Sequence, residues 1–141
     1  MSRQSALDQI AAARGSLPRD HIENTVRAFQ ATYARKDWAA RAALLSEDVV
    51  FEDTVGVPPP AIGRQAAADY FKLIIGTGWD VNMEPEKIIV MGNEAFVLTR
   101  GSWGVVGEVP ARLQLIHNFR FNAQGEIAHV RIAYDEGCLE D

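Results

Sequence analysis

The chain has 141 residues, 48% of them apolar and 23% charged, the profile of one soluble globular domain that buries about 70% of its unfolded surface. Its net charge is −5 and no basic cluster exceeds Arg35-Lys36, which excludes the positive stripe of a nucleic-acid reader. A single cysteine (Cys138), no Cys/His pair at zinc-ligand spacing and no long apolar span lead to the expectation of a cytoplasmic protein with no metal, no cofactor, no internal disulfide and no membrane segment.

Residues 4–14 are Ala-rich, with Leu7, Ile10 and Ala11 at helical spacing before Gly15 and Pro18; they predict a short helix in an N-terminal extension, residues 1–19. Asp20 and Glu23 stand at capping-box spacing. Ile22, Val26, Phe29 and Tyr33 then recur at steps of four, three and four, giving a helix over about 21–35 with one apolar face. Asp37 is positioned to cap a helix over about 38–46 with Trp38, Ala42 and Leu45 inward. A short strand over 48–53 follows, then an extended loop at Val57-Pro58-Pro59-Pro60, where prolines lack amide donors. Gly63 precedes a third main helix over about 64–75 that carries Ala67, Tyr70, Phe71 and Ile74 on one face. Segments 79–90, 94–103, 109–122 and 126–135 are rich in Val, Ile, Phe, Trp and Tyr and are separated by Gly- and Asn-containing turns. They predict an antiparallel meander after the helices, and so one α+β domain over residues 1–141.

Two residues stand out as candidates for chemistry. His117 shares the parity of Leu113, Leu115, Phe119 and Phe121 and so faces the buried side of its strand. Asp53 ends the run Val49-Val50-Phe51-Glu52-Asp53. Brought together in a pocket, they offer a carboxylate and an imidazole for proton transfer. Each also has a plainer explanation: a strand-end Asp serves turns, and a histidine on an apolar stripe serves the core when a carbonyl satisfies it. Phe29, Tyr33, Tyr70, Phe71, Trp79, Trp103 and Phe119 are candidates for a ligand pocket and equally for ordinary core. Tyr33 leads the possible hydroxyl donors, ahead of Tyr70 and Tyr134. His21 and His129 are expected to be exposed, and Glu52 to be a solvated or interface charge.

Several local motifs, in their order, resemble the nuclear-transport-factor-2-like superfamily, and within it ketosteroid isomerase and its polyketide-cyclase-like (SnoaL-like) relatives. They are Arg35-Lys36-Asp37, Leu44-Leu45-Ser46-Glu47-Asp48, Phe51-Glu52-Asp53 leading to Val55-Gly56, Gly63-Arg64, and His117-Asn118-Phe119-Arg120-Phe121-Asn122 followed by Gly125-Glu126-Ile127. The resemblance covers about residues 20–135. It implies a cone-shaped fold, in which N-terminal helices pack on a strongly curved, mostly antiparallel sheet that encloses an apolar pocket. It also implies a homodimer formed through the sheet, with Arg112, Gln114, Asn118 and Arg120 on the contact face.

In the isomerases an aspartate moves a proton between carbons of an enone, while a tyrosine and a protonated aspartic acid hold the oxyanion. By that resemblance Asp53 matches the base, Phe29 the tyrosine, His117 the aspartic acid, and Phe71 a second pocket tyrosine. Both oxyanion donors are replaced, and losing even one costs about 10²–10³ in rate. Efficient ketosteroid isomerisation is therefore not expected. The expected activity is isomerisation, dehydration or cyclisation of a small hydrophobic carbonyl compound such as a steroid or polyketide. Asp53 then serves as base and His117 as acid, or Asp53 orients His117 as the base. The alternative is a non-catalytic protein that binds a hydrophobic ligand in the same pocket.

Overall fold

The computed structural model describes residues 1–55 and 58–141; Gly56 and Val57, and with them part of the expected Pro-rich loop, lie outside the described residues. The elements in chain order are α1 (Arg3–Ala11), α2 (Arg19–Arg35), α3 (Trp38–Ala43), β1 (Leu45–Glu52), β2 (Ala61–Ile62), α4 (Arg64–Gly76), β3 (Trp79–Met91), β4 (Glu94–Val105), β5 (Ala111–Phe121) and β6 (Ile127–Ala133), then a 3₁₀ turn at Glu136–Cys138. One six-stranded sheet has the order β2-β1-β6-β5-β4-β3. All its neighbours are antiparallel except β1 and β6, which run parallel. This is the expected α+β cone, with helices against a mostly antiparallel sheet.

The strand parity follows the residue pattern. Leu113, Leu115, His117, Phe119 and Phe121 of β5 are all buried. They meet Ile22, Val26, Phe29 and Tyr33 of α2 and the inward residues of β1 and β6 in one core. Each fully buried Phe, Leu or Ile there contributes about 1.5–3 kcal/mol relative to exposure. β3 takes the sheet edge, the position that tolerates Pro85, and the register shifts between Pro85 and Lys87.

Three local expectations are corrected. α2 starts at Arg19 with Pro18 as its N-cap, and no side chain caps it; Asp20 lies within the first turn, and Glu23 pairs with Arg19 instead. Pro18 supplies the fixed φ suited to that boundary. In α1, Leu7 and Ile10 are exposed and no residue is buried. The following segment docks instead through Gly92 N–H to the Ala13 carbonyl and Leu17 N–H to Asn93 Oδ1. Finally, Asp37 caps α3 as expected, but Trp38 is 43% exposed, with the Lys72 ammonium 3.7 Å above its ring. The inward residue of α3 is Arg41.

Candidate functional site

The inner ends of these elements surround a cavity of about 220 Å³. α2 contributes Tyr33, α3 Arg41, β1 Phe51 and α4 Tyr70, Phe71 and Ile74. β3 adds Trp79, Val81 and Met83, β4 adds Trp103, and β6 adds Ile132. Asp53 and Tyr134 enter from just beyond β1 and β6. The wall is mostly apolar with a few polar groups, the usual make-up of a small-molecule site. Its charged residues are Asp53 and Arg41.

Asp53 sits where β1 gives way to a turn, and Thr54 after it holds a left-handed φ of 61°. A β-branched residue avoids that region unless its surroundings impose it. The Tyr70 hydroxyl donates to Asp53 Oδ2. Burial raises the Tyr70 pKa, and the hydrogen bond to Asp53 and its charge raise it further. Tyr70 is thus held as a phenol, a donor to the carboxylate. Among the tyrosines, it is Tyr70 rather than Tyr33 that reaches Asp53. Tyr134 also lines the cavity, and burial and the Asp53 charge raise its pKa.

Arg41 is 3% exposed. Its guanidinium carbon lies 3.5 Å from the ring centroid of Phe71, 3.9 Å from that of Tyr33 and 4.5 Å from that of Phe29. Nε donates to Thr32 Oγ1 at 3.0 Å, and one terminal nitrogen is buried without a partner. Burial lowers its pKa, opposed by Tyr33 and Asp53. Tyr33 is 6% exposed, with a buried hydroxyl that also lacks a hydrogen-bond partner. The guanidinium lies over the Tyr33 ring, and its charge and its nearness to the phenolic oxygen favour the phenolate. Burial outweighs this and pushes the phenol up to about 12.

His117 lies one layer behind the wall. It is fully buried and is not among the residues that line the cavity. Its register partner in β6 is Ile132, and its ring centroid is 6.2 Å from that of Tyr33; both of those residues do line the cavity. The Gln30 amide, which also donates to Thr99 Oγ1 at 3.0 Å, lies 3.2 Å from His117 Nδ1. Nδ1 therefore accepts and the proton sits on Nε2, which is buried without a partner. Burial first, and the Arg41 charge second, push the imidazole down to about 3.

Of the residues singled out in the sequence, Asp53, Tyr33, Tyr70, Phe71, Trp79 and Trp103 line the cavity together. His117, Phe29 and Phe119 do not; Phe29 and Phe119 pack on the imidazole at centroid distances of 5.7 and 4.3 Å. Glu52 faces the other side of β1, where it meets His129 Nε2 at 2.7 Å and Arg131 Nε at 2.9 Å. The hydrogen bond from His129 is the main reason its pKa falls. His21 is exposed at its helix start but donates to the Gly125 carbonyl at 2.7 Å. Among the described residues, no group of three His, Cys, Asp or Glu side chains converges on a metal position. No helix there is long and apolar enough to cross a membrane.

Sequence reasoning missed Arg41. Its only signal is an arginine in the middle of Trp38-Ala39-Ala40-Arg41-Ala42-Ala43, where alanines on every side leave the phase of the helix undetermined.

No curated protein matches this sequence. Among solved structures, a computationally designed 17-OHP binder superposes with a TM-score of 0.76 at 16% identity, covering 85% of this chain and 97% of the other. An LEH-like epoxide hydrolase of M. tuberculosis gives 0.75 at 18%, covering 85% and 86%. The epoxide hydrolase/cyclase-like enzyme SalBIII, of pyran ring formation in polyether salinomycin, gives 0.74 at 18%, covering 85% and 95%. Likeness at these identities is likeness of fold. A family model described as a SnoaL-like domain matches residues 26–130, most of the chain, and on that ground the chain belongs to the SnoaL-like family of the nuclear-transport-factor-2-like superfamily.

Proposed function

We propose that this SnoaL-like chain performs acid–base chemistry on a small hydrophobic carbonyl compound, with Asp53 as the base. The observation that carries the reading is a carboxylate set in a mostly apolar cavity, with the Tyr70 hydroxyl on one of its oxygens. Asp53 takes a proton from the carbon alpha to the carbonyl. The resulting enolate is then reprotonated at another position, expels a leaving group or attacks a second carbonyl, giving isomerisation, dehydration or cyclisation. Tyr70, held as a phenol, orients the carboxylate. His117 takes no part in the proton transfer, because it is sealed from the cavity and held neutral. The fold shared with an epoxide hydrolase, a cyclase-like enzyme and a designed binder supports a small-molecule role.

The test uses 2-tetralone, a small enolisable hydrophobic ketone, in heavy water. The chain should speed deuterium entry at the carbons beside the carbonyl, and Asp53→Asn should lower that rate about 10²–10⁴-fold while the fold stays intact. An unchanged exchange rate in Asp53→Asn removes the base role. Tight binding of the ketone with no exchange would establish the alternative, a non-catalytic binding protein. The proposal includes a homodimer through the outer face of the sheet, where Ile89, Phe96 and Ile116 are exposed; a monomer by light scattering refutes that part.

A further inference from the structure

The cavity holds a feature that the Asp53 chemistry does not use, the buried cation Arg41. A charge out of water is costly unless it is paired and hydrogen-bonded. Arg41 Nε donates to Thr32 Oγ1, and three aromatic faces stand around the guanidinium. The rings supply part of the compensation, since a desolvated guanidinium over an aromatic face gains electrostatic attraction. They do not satisfy its N–H donors, and one terminal nitrogen is buried with none of them used.

The other charge in the wall, Asp53, does not fill that role. It accepts from Tyr70, and the two charged groups form no ion pair. Beside Arg41 the Tyr33 hydroxyl is a second buried donor without a partner. A terminal guanidinium nitrogen and a phenol, each buried without an acceptor in the wall of one cavity, form a receptor for an anionic oxygen. A neutral carbonyl oxygen satisfies the donors but adds no opposite charge to the partial compensation that Asp53 and the rings supply. A carboxylate does both.

We infer that Arg41 and Tyr33 form a carboxylate-binding site at the inner end of this cavity, so that its ligand is a small hydrophobic acid with the carboxylate on Arg41. The inference rests on the cavity being the ligand site and deepens the proposed function: the substrate is a carbonyl compound that also carries a carboxylate, and its acidic carbon is presented to Asp53. The planar guanidinium suits a two-oxygen acceptor, a role that lysine cannot reproduce.

The test compares 3-phenylpropionate with its near-isosteric amide, 3-phenylpropionamide. Binding is followed by tryptophan fluorescence, since Trp79 and Trp103 line the cavity, and confirmed by calorimetry. The carboxylate should bind at least about tenfold more tightly than the amide. Arg41→Gln should erase that preference, so that the two compounds bind within about twofold of one another. Asp53→Asn should keep the preference, because it removes a like charge from the wall. Equal affinities in the unmodified chain, or a preference that survives in folded Arg41→Gln, overturn the carboxylate site and leave the base role of Asp53 standing. Binding of neither compound up to its solubility overturns the cavity as the ligand site. Absence of deuterium exchange in the unmodified chain, with the carboxylate preference intact, counts only against Asp53 as base. The carboxylate–amide comparison needs no substitution, so an Arg41 variant that fails to fold leaves the test decisive.

Discussion

Acid should destabilise this protein through His117, by an amount that its burial fixes. The imidazole is pushed from its ordinary 6.5 to about 3, by burial first and the Arg41 charge second. Between those values the unfolded chain binds a proton that the folded chain refuses. Stability from this residue is therefore complete above 6.5 and is lost as pH falls through the window towards 3. At about pH 4.5, roughly two units into the window and at about 1.4 kcal/mol per unit, the loss is about 3 kcal/mol. That is a large share of the stability of an ordinary domain. Carboxylates whose folded pKa is lowered, such as Glu52, also lose stability as pH falls, so the measurement needs a reference without the imidazole. Urea unfolding at about pH 7.5 and about pH 4.5 should show the unmodified chain losing about 3 kcal/mol more than His117→Gln, whose amide carbonyl is able to accept from Gln30 and does not titrate. Equal losses in the two proteins refute the argument, and with it the neutral, sealed state assigned to His117.

Two further outcomes follow from the geometry. Tyr70→Phe removes the hydroxyl that holds Asp53 Oδ2; exchange into 2-tetralone should fall roughly ten- to a hundredfold, in line with a hydrogen bond to a charged group. An unchanged rate would show that Tyr70 does not position the base. Gly125 holds φ of +86°, and a Cβ there meets His21 Nε2 at 2.7 Å. Gly125→Ala should therefore lower stability by about 1–3 kcal/mol in urea unfolding and leave exchange into 2-tetralone unaltered; full stability would refute the strain argument.

Alternation in β5 was enough to place His117 on the inner face, and the spacing of Ile22, Val26, Phe29 and Tyr33 was enough to orient α2. Periodicity, however, reports which way a side chain points and not how far along a closing fold it sits. Phe29 and Tyr33 share a face one helical turn apart, yet Phe29 belongs to the sealed core and Tyr33 to the cavity wall. His117 lies on the wrong side of the same boundary, covered by Tyr33 and flanked by Ile132. α3 failed for a different reason. Hydrophobic phasing turns Trp38 inward, whereas the fold leaves the indole half-exposed under Lys72 and buries Arg41. A rule that sends charges outward misses a cation whose compensation comes from three rings on two other helices, α2 and α4. The bond between Tyr70 and Asp53 was illegible likewise, since α4 and the end of β1 meet only in the folded chain.

The states of Arg41 and His117 are coupled, and the coupling bears on how the site works. Arg41 is charged and its field opposes a second cation nearby, which is one of the two causes that keep His117 neutral. An imidazole in that state, its Nδ1 occupied by Gln30 and its Nε2 enclosed, reaches no ligand oxygen in the cavity. In the isomerases that the sequence resembles, the matching strand position supplies a protonated acid to the oxyanion. Here that position is packed shut, and positive charge enters from α3 instead. On the proposed reading, the electrophilic side of the site has moved from the sheet to a helix, and from a neutral acid to a fixed cation. A neutral donor serves an oxygen whose charge develops only in the transition state. A fixed cation also binds an oxygen that is charged from the outset, so a preference for carboxylate over amide, measured on the resting protein, distinguishes this site from the arrangement it resembles.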